Sequence, residues 1–238
     1  MHRFFSSPEN FHTKSVVLSE SETRHLRDVL RLSAGETVHV FDGAGREYAC
    51  TVETVEKKET RLSIVRETSP TAPESTLNLT VAAAITPGDK FDLAIQKSVE
   101  LGVTRFIPIT TARCEVKLKD AERRIERWRR IAFEAAKQSG RARLMDVENV
   151  ASFSSLFGES DDPIVMFSER DGSGFDSIRP EGKLTVIYGP KGGWTDEELA
   201  LARNAVANVI TFGGRILRAE TAAIGITAIL QHRFGDMN

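Results

Sequence analysis

Residues Thr211 to Gln231 read TFGGRILRAETAAIGITAILQ: the end of a short apolar strand, a double glycine, a turn bearing arginine and glutamate, then a helix. Upstream, Val186 to Trp194 (VIYGPKGGW) repeats the plan, an apolar strand closed by a glycine-rich loop that leads into another helix. Thr195 and Glu198 have capping-box spacing and place that helix start directly after the loop. Gly189, Gly192 and Gly193 lack a β-carbon, so the backbone there can take strained conformations and approach a ligand closely. Amides exposed at a helix start can donate to a carboxylate, a phosphate or a purine edge. One such loop decides nothing, because any strand that turns into a helix needs a turn. Two of them, the second with Arg215, Arg218 and Glu220 between apolar segments, point to a site for a small cofactor. Neither G-x-x-x-x-G-K-S/T nor G-x-G-x-x-G occurs, which argues against an ordinary nucleoside triphosphatase or a Rossmann dehydrogenase.

Working outward, the chain from Leu77 alternates strands with longer helices. The order is LNLTVAAAI, a helix from Asp89 to Leu101 capped by Gly102, TRFIPI, a helix from Asp120 to Ser139 ending at Gly140, PIVMF, LTVIYG, a helix from Thr195 to Asn208, VITF and the last helix. This alternation predicts an α/β fold with a parallel sheet and helices on both faces. Ala222, Ala223, Ile226, Ile229 and Leu230 are expected to form the apolar stripe of the last helix. In open α/β sheets ligands sit beyond the C-terminal ends of the strands, where both glycine loops lie.

The first third has a different rhythm. Ser15 to Leu18 reads as a strand, and Ser19 with Glu22 has capping-box spacing for a helix to about Leu32. On that helix Leu26, Val29 and Leu30 are expected on one face and Arg24, Arg27 and Arg31 on the other, an arrangement compatible with a grip on phosphates and equally with an ordinary solvated face. Glu36 to Asp42, Arg46 to Val55 and Thr60 to Arg66 alternate apolar and polar residues around Asp-Gly turn chemistry, which predicts a small β-barrel. Glu67 to Thr76 has linker composition, so the expected domains are 1–70 and 77–238, with 71–76 between them.

The chain has 238 residues, is 40% hydrophobic and 28% charged, and contains no apolar run near the roughly 18 residues a membrane span needs. The start, MHRFFSSPENFHT, has no apolar signal region. Cys50 and Cys114 stand far apart, which fits a reducing cytoplasm, and the five histidines form no ligand pattern, so no structural metal is expected. Net charge is -2, but Arg113 to Arg143 holds eleven Lys/Arg against five Asp/Glu while Ser155 to Glu181 holds two against seven. Such a basic segment can bind phosphates although the total is acidic, and it can equally be a solvated helix face.

QKSVELGV (Gln96 to Val103), RC-x-VKL (Arg113 to Leu118), AAKQSGR (Ala135 to Arg141), GP-x-GG (Gly189 to Gly193), RILR-x-ET (Arg215 to Thr221) and RFGD (Arg233 to Asp236) together closely resemble the RsmE-type ribosomal RNA methyltransferases of the SPOUT superfamily. RFF (Arg3 to Phe5), VLRL (Val29 to Leu32) and VFDG (Val40 to Gly43) extend the resemblance into the first domain. Each string alone is weakly specific, whereas their number, order and spacing over nearly the full length are specific.

The resemblance implies a PUA-like RNA-binding barrel followed by a parallel-sheet domain with a deep trefoil knot, a homodimer, and S-adenosyl-L-methionine as cofactor. The implied reaction is methylation of a uracil at N3 in 16S ribosomal RNA, with the small ribosomal subunit as partner. By motif position Tyr188, Gly189, Pro190, Gly192, Gly193, Phe212, Gly213, Leu217, Arg218, Glu220, Thr221 and Ala222 line the cofactor pocket, completed by Met166, Phe167 and Ser168. Arg218 and Glu220 are the catalytic candidates, Arg218 for electrostatic help and Glu220 either as base or as an orienting group. Arg3, Arg24, Arg27, Arg31, Arg113, Lys117, Gln138 and Arg141 are the expected RNA contacts. Two positions depart from the family pattern: Lys191 replaces a usual acid, and Gly214 a common proline. The rival readings are a related enzyme acting on another RNA base and a non-catalytic RNA-binding homologue.

Overall fold

Alternating burial along the early strands builds one sheet. In the computed structural model, which describes residues 2–115, 121–158, 162–205 and 207–237, β1 (Arg3–Phe5), β2 (Ser15–Leu18), β3 (Thr37–Phe41), β4 (Glu47–Val55) and β5 (Thr60–Thr68) form a sheet of order β1-β3-β4-β5-β2. β1 runs parallel to β3, while the pairs β3–β4, β4–β5 and β2–β5 are antiparallel. β1 and β2 remain edges, so the expected barrel is a curled half-barrel. Phe4, Val16, Leu18, Leu26, Val38, Val40, Val52 and Leu62 fill its concave side together with Cys50. Burial pushes the Cys50 thiol up to about 12, which keeps it a protonated packing group.

The helix after β2 departs from expectation. α1 spans only Glu20–Arg24, followed by a wide π turn over His25–Val29, and Arg31 lies outside at φ 56°. The wide turn shifts the helical phase: Leu26 is fully buried while Val29 is 65% exposed, so Val29 is not on the apolar face. With Arg31 beyond the helix, the three arginines do not share a helical stripe. Ser19 Oγ accepts from the Glu22 amide at 3.4 Å, but the Glu22 carboxylate accepts from Phe5 N and from Lys137 Nζ instead of closing a capping box.

The second sheet is built from β6 (Asn78–Ala84), β7 (Arg105–Thr110), β8 (Asp146–Val147), β9 (Ala151–Ser152), β10 (Ile164–Ser168), β11 (Lys183–Tyr188) and β12 (Asn208–Thr211). Its order is β12-β10-β11-β6-β7-β8, with β9 also on β7, and every pair is parallel. β6 is buried from Leu79 to Ala84, as a strand covered on both faces must be. The helices are α2 (Lys90–Glu100), α3 (Ala121–Ser139), α4 (Asp196–Asn204) and α5 (Ala219–Phe234). α4 stops before Asn208, which opens β12. On α5 the buried residues are Ala223, Ile226, Thr227, Leu230 and Gln231, a stripe that leaves Ile229 37% exposed rather than inside it.

By contacts the chain divides into residues 1–74 with 136–144, and residues 75–135 with 145–238. The first unit therefore includes the end of α3, held by Arg3. Its guanidinium donates to the carbonyls of Ala136, Lys137 and Arg141 at 3.4, 3.5 and 2.7 Å and to the buried Glu47 carboxylate at 3.1 Å. Carbonyls at a helix end lack internal partners, and a buried carboxylate requires them, so one side chain answers both needs. Arg141 is likewise buried, on Glu74 at 2.7 Å.

Candidate functional site

Because the strands of the second sheet are parallel, the C-terminal ends of β6, β10, β11 and β12 lie on the same edge, and the segments leaving them enclose a cavity of about 1010 Å³. Thr86 and Pro87 follow β6, residues 167–169 end β10, residues 188–194 follow β11, and residues 211–220 lead from β12 into α5. Of the cofactor residues expected from sequence, Phe167, Ser168, Tyr188, Gly189, Pro190, Gly192, Gly193, Phe212, Gly213, Leu217, Arg218, Glu220 and Ala222 line this cavity. Met166 and Thr221 do not. Met166, one pleat before Phe167, is fully buried in the sheet core, and Thr221 is exposed on α5.

The loop after β11 is held by Trp194. Its indole is 1% exposed, donates to the Phe167 carbonyl at 2.8 Å and lies against Gly189, where a β-carbon would stand 2.9 Å from the ring. Gly189 is thus a glycine because of the tryptophan. Gly193 is one because its φ is +71°. Arg113 Nη1 donates to the carbonyls of Gly192 and Trp194 at 2.9 and 3.3 Å, clipping the loop from outside. Thr195 and Glu198 complete the expected capping box, and Glu198 also accepts from Ala112 N at 2.9 Å. Under the loop Tyr188 stacks on Phe167 with centroids 5.5 Å apart and shares a 2.9 Å hydrogen bond with Thr227. Burial pushes the Tyr188 phenol well above its ordinary range, so it stays neutral and acts by position.

Charge enters the cavity from α2 and α5. Lys90 Nζ lies 3.2 Å from the Glu220 carboxylate. Burial acts on Glu220 to raise its pKa, but its own backbone amide, Lys90 and Arg218 outweigh that and hold the carboxyl below the usual range. Arg218, the N-cap residue of α5, is exposed; its carbonyl accepts from Ala222 N at 2.8 Å, and its guanidinium has no hydrogen bond among the described residues. Lys191 faces Glu115 at 3.6 Å on the exposed rim. Lys90, Glu115, Glu169 and Trp194 are lining residues that sequence reading missed. The rule that ligands sit at strand ends would have found Thr86 to Lys90, since ITPGDK follows the β6 run directly.

The expected RNA contacts separate by environment. Arg24 is exposed beside Glu20 at 3.4 Å, and Arg27 pairs with Asp28 at 2.6 Å while donating to the Lys57 carbonyl at 2.8 Å. Arg31 and Gln138 are exposed. Arg3 and Arg141 have guanidinium groups occupied inside the first unit, and Arg113 holds the glycine loop. Lys117 lies outside the described residues.

Residues 73–231 match the family model described as an RNA methyltransferase domain, and residues 18–65 match an RNA methyltransferase PUA domain. The ribosomal RNA small subunit methyltransferase E of Bacillus subtilis is 32% identical, covering 87% of this chain and 86% of its own length. The protein of the same name from Aquifex aeolicus is 30% identical over 98% of this chain and 100% of its own. Among solved structures, the ribosomal RNA small subunit methyltransferase E of Neisseria gonorrhoeae bound to S-adenosyl methionine aligns with a TM-score of 0.90 and 34% identity, covering 100% of both chains. The likeness runs through both units and through the loops that enclose the cavity, and the chain belongs to the RNA methyltransferase family.

Proposed function

We propose that this chain methylates small-subunit (16S) ribosomal RNA at N3 of a uracil, with S-adenosylmethionine as methyl donor. The observation that carries the reading is the cavity of about 1010 Å³ at the strand ends. It reaches the upper end of the roughly 300–1,000 Å³ typical of small-molecule sites, which leaves room for a cofactor and a base together. Its lining suits a zwitterionic nucleoside: Phe167, Phe212, Leu217 and Ile226 offer apolar walls, and Lys90, Glu169, Arg218 and Glu220 offer charges of both signs. The loops at Gly189 to Gly193 and at Gly213 would hold the cofactor, which supplies a methyl group activated by a positively charged sulfur.

The chain's own contribution is alignment, worth up to about 7–11 kcal/mol when donor and acceptor are held in line, and help with one proton. Uracil N3 carries a proton that must pass to solvent before the nitrogen attacks. Arg218 stabilises the negative charge that develops on the ring as it does. Glu220, held low by Lys90 and Arg218, is a weak base near neutrality, so its role is to position Lys90 and the turn rather than to take the proton. The pairing of Lys191 with Glu115 at the rim supports a cavity that keeps its cofactor despite the change of charge at position 191.

In the same reading residues 1–70 are the RNA-binding domain and 77–238 the methyltransferase domain, threaded as a trefoil knot. Arg24, Arg27, Arg31, Arg113 and Gln138 remain as phosphate contacts, with Lys117 carried from the motif alone. Arg3 and Arg141 are left out, since their guanidinium groups are enclosed by partners within the fold, whereas Arg113 remains exposed while it clips the loop. The protein works as a cytoplasmic homodimer, on the small ribosomal subunit.

The test is transfer of labelled methyl from S-adenosylmethionine to undermodified small subunits and to naked ribosomal RNA, with digestion to nucleosides. Label in 3-methyluridine is expected, and greater transfer to subunits would identify an enzyme acting on the assembled particle. Label in another nucleoside, or none while cofactor still binds, would overturn the assignment.

A further inference from the structure

Ile216 is 87% exposed, more than any other large apolar side chain among the described residues, and it lines the cavity. Single exposed apolar residues are common and need no explanation. The surroundings of this one do call for one. It is flanked by Arg215 and followed by Leu217, 36% exposed, and Arg218, and neither arginine's guanidinium has a hydrogen bond among the described residues. Two exposed guanidinium groups beside a protruding apolar tip match a polyanion that also offers ring faces, which is the chemistry of a nucleic acid.

The target atom must meet the methyl donor inside a cavity, and a base stacked in a helix cannot reach one. It has to leave the stack, which opens a gap. Proteins that unstack bases commonly fill such a gap with an isoleucine, leucine or phenylalanine side chain. We infer that Ile216 is the wedge that enters the RNA stack when the target base turns into the cavity, with Arg215 on the flanking phosphate. This rests on the RNA reading above. It adds the residue that takes the vacated place in the stack, a positioning role distinct from cofactor binding and methyl transfer.

The full-length protein is tested as wild type, Ile216→Ser and Ile216→Leu on two RNA hairpins, one with the target base paired and one with it opposite a mismatch. Base extrusion is followed by 2-aminopurine beside the target, cofactor affinity by calorimetry and mass by light scattering. Ile216→Ser is expected to lower kcat/KM on the paired hairpin by about tenfold or more, the equivalent of ~1.4 kcal/mol, and to abolish the 2-aminopurine signal. On the mismatched hairpin, where unstacking costs less, the deficit should shrink to about twofold. Ile216→Leu should restore both readouts. Equal losses on the two hairpins would overturn the wedge. So would a proportional loss of cofactor affinity, which would make Ile216 a cover for the cofactor, or a change in mass, which would make it a subunit contact. Wild-type protein that binds cofactor yet methylates neither the hairpins nor undermodified small subunits would overturn the RNA reading itself, and the wedge with it.

Discussion

The two glycine loops look alike in sequence and are built in opposite ways. The loop after β11 is locked, with Trp194 buried beneath it, Arg113 clipped to its carbonyls and a capping box at its exit. The loop after β12 carries its side chains outward: residues 213–218 are all exposed, and Gly214 has open space where a β-carbon would be. The contrast teaches that one wall of the cavity is preorganised and the other is free to meet a substrate. Preorganised walls hold a geometry without further cost at the moment of binding, while open ones can adapt to a large partner.

The largest expected effect breaks the lock. Trp194→Ala should cost about 3–5 kcal/mol of unfolding free energy by denaturant titration and weaken cofactor binding in the same variant. Trp194→Phe keeps most of the volume and leaves the Phe167 carbonyl without its indole donor, so it should cost about 1–3 kcal/mol. A cost as large as that of the alanine variant would put the lock in the hydrogen bond. Next is Gly189→Ala, whose methyl group would stand 2.9 Å from a fully packed indole. It should cost about 1–3 kcal/mol, and full stability with unchanged cofactor affinity would show that the ring can move aside.

Two substitutions in the open loop sharpen the comparison. Gly213→Ala meets no neighbour but must hold φ +71°, a strain of about 1–2 kcal/mol. Gly214→Ala, with neither obstacle, should stay within about 1 kcal/mol of the wild type and can be mildly stabilising. Thermal unfolding of the pair would separate backbone strain from crowding. The smallest expected effect is a displacement along the pH axis. Lys90 helps hold the Glu220 carboxyl below its ordinary range, so the stabilising pair is complete above that range and is lost as pH falls through the depressed value. Lys90→Met removes one of the groups that lower it, and the acid limb of stability or activity should move to higher pH. A limb that does not move would mean that Glu220 does not control it.

Much of the fold was legible because it is local. The runs from Leu77 onward gave the parallel sheet, and period-two alternation in the first third gave the curled one. The π turn after Arg24 was not legible, because nothing in HLRDV distinguishes a wide turn from an α one, and it displaced Val29 and Arg31 from their expected faces. Nor was the return of residues 136–144 to the first unit, since no linker composition marks it. The arginines show the same limit. Arg3 and Arg141 resemble Arg24 in sequence, and only the buried Glu47 and the half-buried Glu74 separate fold-holding cations from exposed ones.

What the sequence alone determined was the order of the longer strands and helices from Leu77 onward, the two glycine loops at strand ends, and the capping box that starts α4. Each depends on residues within a few positions of one another, where backbone preference and side-chain reach are set by spacing. Tertiary structure decided that Trp194 would meet Phe167, that Lys90 would reach Glu220, and that Arg3 would cover the end of α3. These pairs are far apart in the chain, and strand order in the folded protein brings them together.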